Sequence, residues 1–385
     1  MAKMNKERLG SIIQSEIRDS QNHFETEYSA DRLKAIDYYL GEPFGNEVEG
    51  RSSVVTTDFA DAVEQIMPSL MRIFTSSDKY VRYAPRTADD VEKAEQLTDY
   101  VNYIINNDND GYRIMYNWFK DSLMFKLGVV KFSWDETSTV QEEEYEGLTE
   151  EEIALLLSNP DIEVVGREEN YVATMTEFGE EIQIVDNYDL KVKITKKSGK
   201  IKIDNVPPEE FLFNRRAKSL EDCYFICHRT TMSVSDLVSM GYDRKLIEDH
   251  AGKIDSEVDE ERQKRFEDLE SQSGRDPADP SQQDVIVHDI IMKVDYDDDG
   301  VAEMRRILAI GDTGSEILEN DICDYIPFAV ISPILMPHRL VGRSMFDLTQ
   351  DLQTIKSTLL RQYLDSTYHS VLPRIVAVEG QVNLD

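Results

Sequence analysis

Apolar residues recur every three or four positions through the first third of the chain, the spacing that lines one face of a helix. Met4, Leu9, Ile12, Ile13 and Ile17 predict a helix over 4–24, and Tyr28, Leu33, Ile36, Tyr39 and Leu40 a second over 28–40. Gly41, Pro43 and Gly45 then break the pattern. The run 57–75 is the best helix of this region. Thr57 is placed to cap it, Asp58 suits its positive end, and Phe59, Val63, Ile66, Leu70 and Phe74 form a stripe. Pro68 lacks the N–H that the ladder needs, so it is expected to kink or split this helix. Helices are also expected at 88–107 and 111–127. The second carries Tyr112, Tyr116, Trp118, Phe119 and Phe125, which read as core.

The period changes to two at GVVKFSWDE, residues 128–136, which predicts a strand. An acidic stretch follows, with a short helix near 149–158. Strands are expected at 162–176, 181–196 and 199–205, the last two joined by a Lys-Lys-Ser-Gly hairpin turn. Short helices fall at 233–240 and 243–250. Residues 252–282 are polar, charged and poor in aromatics, which predicts a mobile linker or exposed loop. Strands resume at 284–295, 302–310 and 327–335. One long helix, 343–370, and a strand at 373–379 close the chain, and no internal repeat is apparent. The fold class is α+β.

In the long helix Met345, Leu348, Leu352, Ile355 and Leu359 make a narrow seam, widened by Leu360, Tyr363 and Leu364. At 1.5 Å per residue it spans about 40 Å. An ordinary core helix is one reading. No later helix in the chain is available to pair with it, which favours packing against neighbouring subunits or a downstream segment.

Charge sharpens the picture. The formal net charge is -34 and the pI about 4.5, which opposes general nucleic-acid binding by phosphate neutralisation. Acidity can serve solubility alone, or it can build a surface that stands beside a polyanion without sticking to it. Apolar residues make up 40% of the chain, and no run approaches the roughly 20 residues of a membrane span. The charged N-terminus lacks a signal-peptide core, which points to the cytoplasm. Cys223, Cys227 and Cys323 cannot make a disulfide framework. Cys223 and Cys227 lie near His228, but no second ligand pair follows at metal spacing, so they read as buried thiols.

Asp295, Asp297 and Asp299 followed by Gly300 reproduce the first half of a calcium loop, yet position twelve is Arg306 and the flanks read as strands. A hairpin turn and weak calcium or magnesium binding both remain open. No P-loop, dinucleotide fingerprint, zincin motif or nucleophile elbow occurs, and the six histidines are scattered. No enzyme, catalytic residue or cofactor is therefore expected. Two other classes stay in view: an acidic calcium-binding interaction module around 295–303, and a metal-dependent nuclease, which would also need basic residues to hold DNA.

Several stretches resemble the portal (head-to-tail connector) proteins of short-tailed phages. The most specific is RSSVVTTDFADAVEQIMPSLMRIFTSSDKYVRYAPR at 51–86. AEQLTDYVNYIINNDNDGY (94–112), NWFKDSLMFKLGVVKFSW (117–134) and VPPEEFLFNRRAKSLEDCYFICHRTTMSVSDLVSMGYD (206–243) are similar too. The Asp-rich hairpin at 295–303, PILMPHRLVGRSMFDLTQDLQTIKSTLLRQYLDS (333–366) and VEGQVNLD (378–385) complete the set in the family's order. The resemblance implies a helical wing region at 1–135, a β-rich wing core at 136–250 and a mobile acidic linker at 251–283. Strands and a hairpin at 284–341, a stem helix at 342–371 and the start of a clip at 372–385 would follow. Family members continue through a second stem helix, a tunnel-facing segment and a crown, which implies that these residues are part of a longer polypeptide. The resemblance further implies a homo-oligomeric ring, dodecameric in the family, with double-stranded DNA passing through without tight binding. Implied partners are the terminase large subunit, the major capsid and scaffolding proteins and a tail adaptor, with no membrane. The implied place is the portal vertex of the virion, after assembly in the host cytoplasm. Leu348, Leu352, Ile355 and Leu359 would hold the stem layer together, with further contacts along 57–127.

Overall fold

The computed structural model describes residues 4–77, 79–159, 162–172, 185–252, 261, 264 and 279–371. It divides into two compact units, Met1–Lys131 with Ile203–Asp385, and Phe132–Lys202.

In the larger unit α1 (Lys6–Phe24) begins at Asn5, whose side chain accepts a hydrogen bond from the Glu7 N–H. The two helices expected at 4–24 and 28–40 are joined rather than separate. A π turn, Glu25–Ser29, carries α1 straight into α2 (Ala30–Leu40). No breaker stands between them, and the π turn absorbs the change of phase. Gly41 ends α2 in the left-handed region at φ 75°. Next, α3 (Asp58–Thr75) passes through Pro68 as one helix, so the expected split does not occur. Glu64 and Pro68 are both exposed, so the carbonyl that proline leaves unpaired meets water. The buried stripe of α3 also differs from expectation. It runs Phe59, Val63, Met67, Met71, while Phe74 is exposed.

α4 (Val91–Tyr103) continues into a π turn, Ile104–Asp108. α5 (Gly111–Phe125) is capped by Asp110, which accepts from the Arg113 N–H. The α3 stripe meets Ala35 and Ile36 of α2, Phe119 and Leu123–Phe125 of α5, and Phe346 in one core.

Five strands make an antiparallel meander: β4 (Phe211–Phe213), β5 (Phe225–Ser233), β6 (Asp284–Val294), β7 (Glu303–Ile310) and β8 (Glu316–Ile322), paired in that order. β4 and β8 escaped the sequence reading. One is three residues long, and the other is an edge strand without a buried residue. Leu9, Ile13 and Ile17 of α1 share a core with Phe211, Phe225, Ile290 and Ile307. A second cluster joins Val285, Val287 and Ile310 to Val234 and Leu237 of α7 (Val234–Ser239) and Ile247 of α8 (Arg244–Glu248). The central β6 is thus buried on both faces, which erases a period-two pattern. Outside this meander β9 (Phe328–Ile331) pairs antiparallel with Gly128–Lys131, the first residues of β1 (Gly128–Leu148).

In the smaller unit two expectations are corrected. β1 (Gly128–Leu148) runs on through the acidic stretch, and β3 (Val185–Val206) is one strand with no hairpin turn at Lys-Lys-Ser-Gly. Charge complementarity explains the first: Lys191 pairs with Glu144 at 2.7 Å and Lys193 with Glu142 at 3.4 Å. Close approach explains the second. A Cβ on Gly199 would lie 2.0 Å from the Trp134 ring, so this glycine admits an aromatic face instead of a turn. α6 (Glu150–Leu157) starts with a Thr149–Glu152 capping box and seats Ile153 on Leu190 and Val192. Its neighbour in sequence, β2 (Ile162–Val172), pairs with β3.

The expected linker at 252–282 falls largely outside the described residues, as do the strand expected at 373–379 and the segment 372–385. Within its described residues, two side chains reach other elements. Glu261 is buried and takes two hydrogen bonds from Arg32, at 2.6 and 3.1 Å, and Lys264 meets Asp37 at 2.6 Å. The last element, α9 (Phe346–Val371), is the long helix.

Candidate assembly surface

Ser344 and Asp347 fix the start of α9 by mutual hydrogen bonds in a capping-box pattern. Lys126, which closes α5 at φ 74°, ties this end down through Asp347 at 3.1 Å and Asp31 at 2.7 Å. Phe346 packs edge-on against Tyr38 and Phe59.

Beyond that turn α9 is polar toward its own chain. Gln353, Ser357, Arg361 and Asp365 stand four residues apart on one face, and the first three are buried. They serve the irregular segment 46–57 and the open first turn of α3, whose polar groups lack partners from a sheet or helix ladder. The Gln353 side chain accepts from the Phe59 N–H at 2.9 Å and donates to the Tyr38 carbonyl at 3.0 Å. Ser357 accepts from the Thr56 N–H at 3.1 Å, and Asp365 from the Ser52 N–H at 2.8 Å. Arg361 donates to the Val54 carbonyl, Asn46 and Glu47 at 2.8, 2.7 and 2.5 Å. Lys356 adds an ion pair to Asp58. One rotation of the helix satisfies all of these, so the ladder sets which face looks out.

The outward face is apolar. Leu348, Leu352, Ile355 and Leu359 are 45%, 65%, 56% and 60% exposed, and Tyr363, Tyr368 and Val371 extend the stripe. A surface helix normally buries its apolar side and shows its polar one. Here the order is reversed, and the seam expected from the sequence has no partner among the described residues.

The three aspartates of the acidic hairpin sit in the turn between β6 and β7. Asp295 accepts from the N–H groups of Asp299 and Gly300, and Asp299 from that of Val301. Asp298 and Gly300 take positive φ. Asp297 lies between Asp295 and Asp299. Among the described residues no group of three or more His, Cys, Asp or Glu side chains is placed to hold a metal.

Polar groups also gather inside the sheets. Asp289 of β6 is buried and meets Lys131 of β1 at 2.7 Å and Arg306 of β7 at 2.9 Å. Burial alone would raise its pKa, but the Arg306 hydrogen bonds and the Lys131 charge outweigh that and hold it at about 2. His228 touches Lys131 at 3.2 Å and Glu210 at 3.4 Å. Cys227 lies 3.6 Å from His288, both fully buried. Burial pushes the His288 imidazole down to about 4 and the Cys223 thiol up to about 12, so neither thiol nor imidazole is poised as a nucleophile or base near neutrality. These groups hold the strands together.

The family model described as Phage SU10 portal protein matches residues 9–385. The chain belongs to that family. It is accordingly a phage portal protein and a virion component, of a family that forms an oligomeric ring in contact with other head and tail proteins. The family's role is structural. No curated protein matches the chain. No described helix is long and apolar enough to cross a membrane. The apolar seam of this portal chain is legible in its spacing, but its direction and the inward ladder are not, although Gln353, Ser357, Arg361 and Asp365 repeat every four residues. A rule that looks for apolar faces passes over a polar one that packs inward.

Proposed function

We propose that this portal chain is the subunit of a closed homo-oligomeric ring whose channel conducts double-stranded DNA during genome packaging and ejection, and that the outward stripe of α9 packs against neighbouring subunits. The observation that carries the reading is the reversed polarity of α9. Its ladder turns Leu348, Leu352, Ile355 and Leu359 away from the chain's own core, which is unfavourable until another surface covers them. A dodecamer is the ring size expected.

The charge supports the second half of the proposal. Phosphates passing carboxylate-lined walls find no deep minimum. Screening over about 8 Å at physiological salt confines the repulsion to near contact, so the duplex slides. The chain carries no nucleotide-binding loop, so the driving energy comes from a separate terminase large subunit docked on the ring. Major capsid and scaffolding proteins and a tail adaptor would meet its other faces.

Replacing Leu352 and Leu359 together by aspartate in the full-length protein tests the interface. Native mass measurement should show rings for the wild type and free subunits for the variant; rings persisting unchanged would remove α9 from the joint.

A further inference from the structure

Three arginines have no partner among the described residues, in a chain with carboxylates to spare. Arg72 lies in the last turn of α3, and Arg82 and Arg86 follow in the segment after it; all three are exposed. None of them makes an ion pair or a hydrogen bond among the described residues, although the sequence holds 76 acidic residues to 42 basic ones. Lys79, in the same segment, is already paired with Asp99 at 2.6 Å. Apolar side chains alternate with the arginines: Ile73 is 68% exposed, Phe74 38%, Val81 37% and Tyr83 42%.

The segment is held in place. Asn102 and Thr98, one turn apart on α4 and both buried, read its backbone. The Asn102 side chain accepts from the N–H groups of Tyr80 and Val81 at 2.6 and 3.2 Å and donates to the Val81 carbonyl at 2.8 Å. Thr98 accepts from the Tyr83 N–H at 3.0 Å. Two buried polar residues thus present Val81, Arg82 and Tyr83 to the outside in a set conformation.

We infer that Arg72–Phe74 and Tyr80–Arg86 form one half of the joint between adjacent copies of this chain and receive a carboxylate-rich face of the neighbour. The inference rests on the ring reading above. A ring closes by head-to-tail contacts in which unlike patches meet. Copies of net charge -34 repel as they approach, so a joint needs a local reversal of sign. Arginine supplies it with a planar fork that grips carboxylates in pairs. Arginine and aromatic residues are also the types that dominate the centres of protein interfaces. A duplex backbone is the weaker match. It would satisfy the guanidinium groups but leave Ile73, Phe74 and Val81 uncovered, whereas a protein face covers both kinds of group.

The test uses the full-length protein as wild type, as the triple variant R72E/R82E/R86E, as the single variant R82E and as R72K/R82K/R86K. Native mass measurement and sedimentation across protein concentrations and ionic strengths read ring closure. The wild type and the lysine variant should form rings, and the triple glutamate variant should need at least about tenfold more protein to do so, with R82E in between. Carbodiimide treatment of the lysine variant should give crosslinks between subunits at position 82. Circular dichroism checks that each variant is folded; should the triple variant not fold, R82E and the crosslinks decide. Rings closing at the wild-type concentration in both glutamate variants, or crosslinks at position 82 only within one chain, would overturn the inference while the ring reading stands. Normal rings that lose only weak low-salt retention of duplex DNA would overturn it in favour of a phosphate contact. A wild type that never closes would overturn the ring reading and this inference with it.

Discussion

Replacing Asp289 by asparagine removes the charge at the centre of an ionic tie within the larger unit, between the start of β1, β6 and β7. Asp289 is 4% exposed and stands between Lys131 of β1 and Arg306 of β7. Its carboxyl is held at about 2 instead of the ordinary 3.8. A displacement of that size corresponds to about 2–3 kcal/mol of stability at neutral pH. The sign fixes the pH window. Because the folded value is the lower one, the contribution is complete above the unfolded value of 3.8 and disappears as pH falls through about 2. With an unfolding slope of about 3 kcal/mol/M, the asparagine variant should lose about 0.8 M from its urea midpoint near neutrality. Trp118 on α5 reports this unit, so fluorescence in a Trp134→Phe background isolates it. The gap should be constant from neutrality down to about pH 5 and close toward about pH 2. Equal midpoints at neutral pH, or a gap that stays constant down to about pH 2, would refute the assignment.

Gln353→Leu keeps the size of a side chain that is fully buried but leaves the Phe59 N–H and the Tyr38 carbonyl without a partner. It should cost about 2–4 kcal/mol, read as a lowered melting temperature and faster amide exchange at 54–59; an unchanged melting temperature would count against the ladder. Gly199→Ala must displace the Trp134 ring, and a loss of about 1–3 kcal/mol with altered Trp134 emission is expected. Wild-type emission and stability would show that the close approach has no structural consequence. Calorimetric titration with calcium should give no strong stoichiometric heat, since Asp295 and Asp299 already cap backbone N–H groups in the β6–β7 turn. A tight one-to-one signal lost in Asp297→Ala would establish a metal site there.

The sequence announces what depends on period and misses what depends on a partner strand or a buried polar group. α1, α5 and α9 follow the spacing of their apolar residues closely, and β6 and β7 are bounded by turn signals on either side of Asp295–Gly300. The acidic stretch 142–146 gives no strand signal, since like charges discourage one, and the lysines at 191 and 193 supply the complement. Gly199 reads as a turn because glycine has two uses, and the chain alone does not say that Trp134 lies over it. At the candidate surface, Leu348, Leu352, Ile355 and Leu359 are legible as a seam from their spacing. Which way the seam faces is not, because that is decided by Gln353, Ser357 and Arg361 pairing with a segment some three hundred residues away. The sequence likewise gives no signal that the arginines at 72, 82 and 86 lack a partner among the described residues.

Electron microscopy of the full-length protein is the most direct measurement of the central claim. The account predicts closed annular particles with an open axial hole, in which the outward stripe of α9 is covered by an adjacent subunit. Particles that stay monomeric across concentration and salt, or rings in which Leu352, Ile355 and Leu359 remain in solvent, would contradict it.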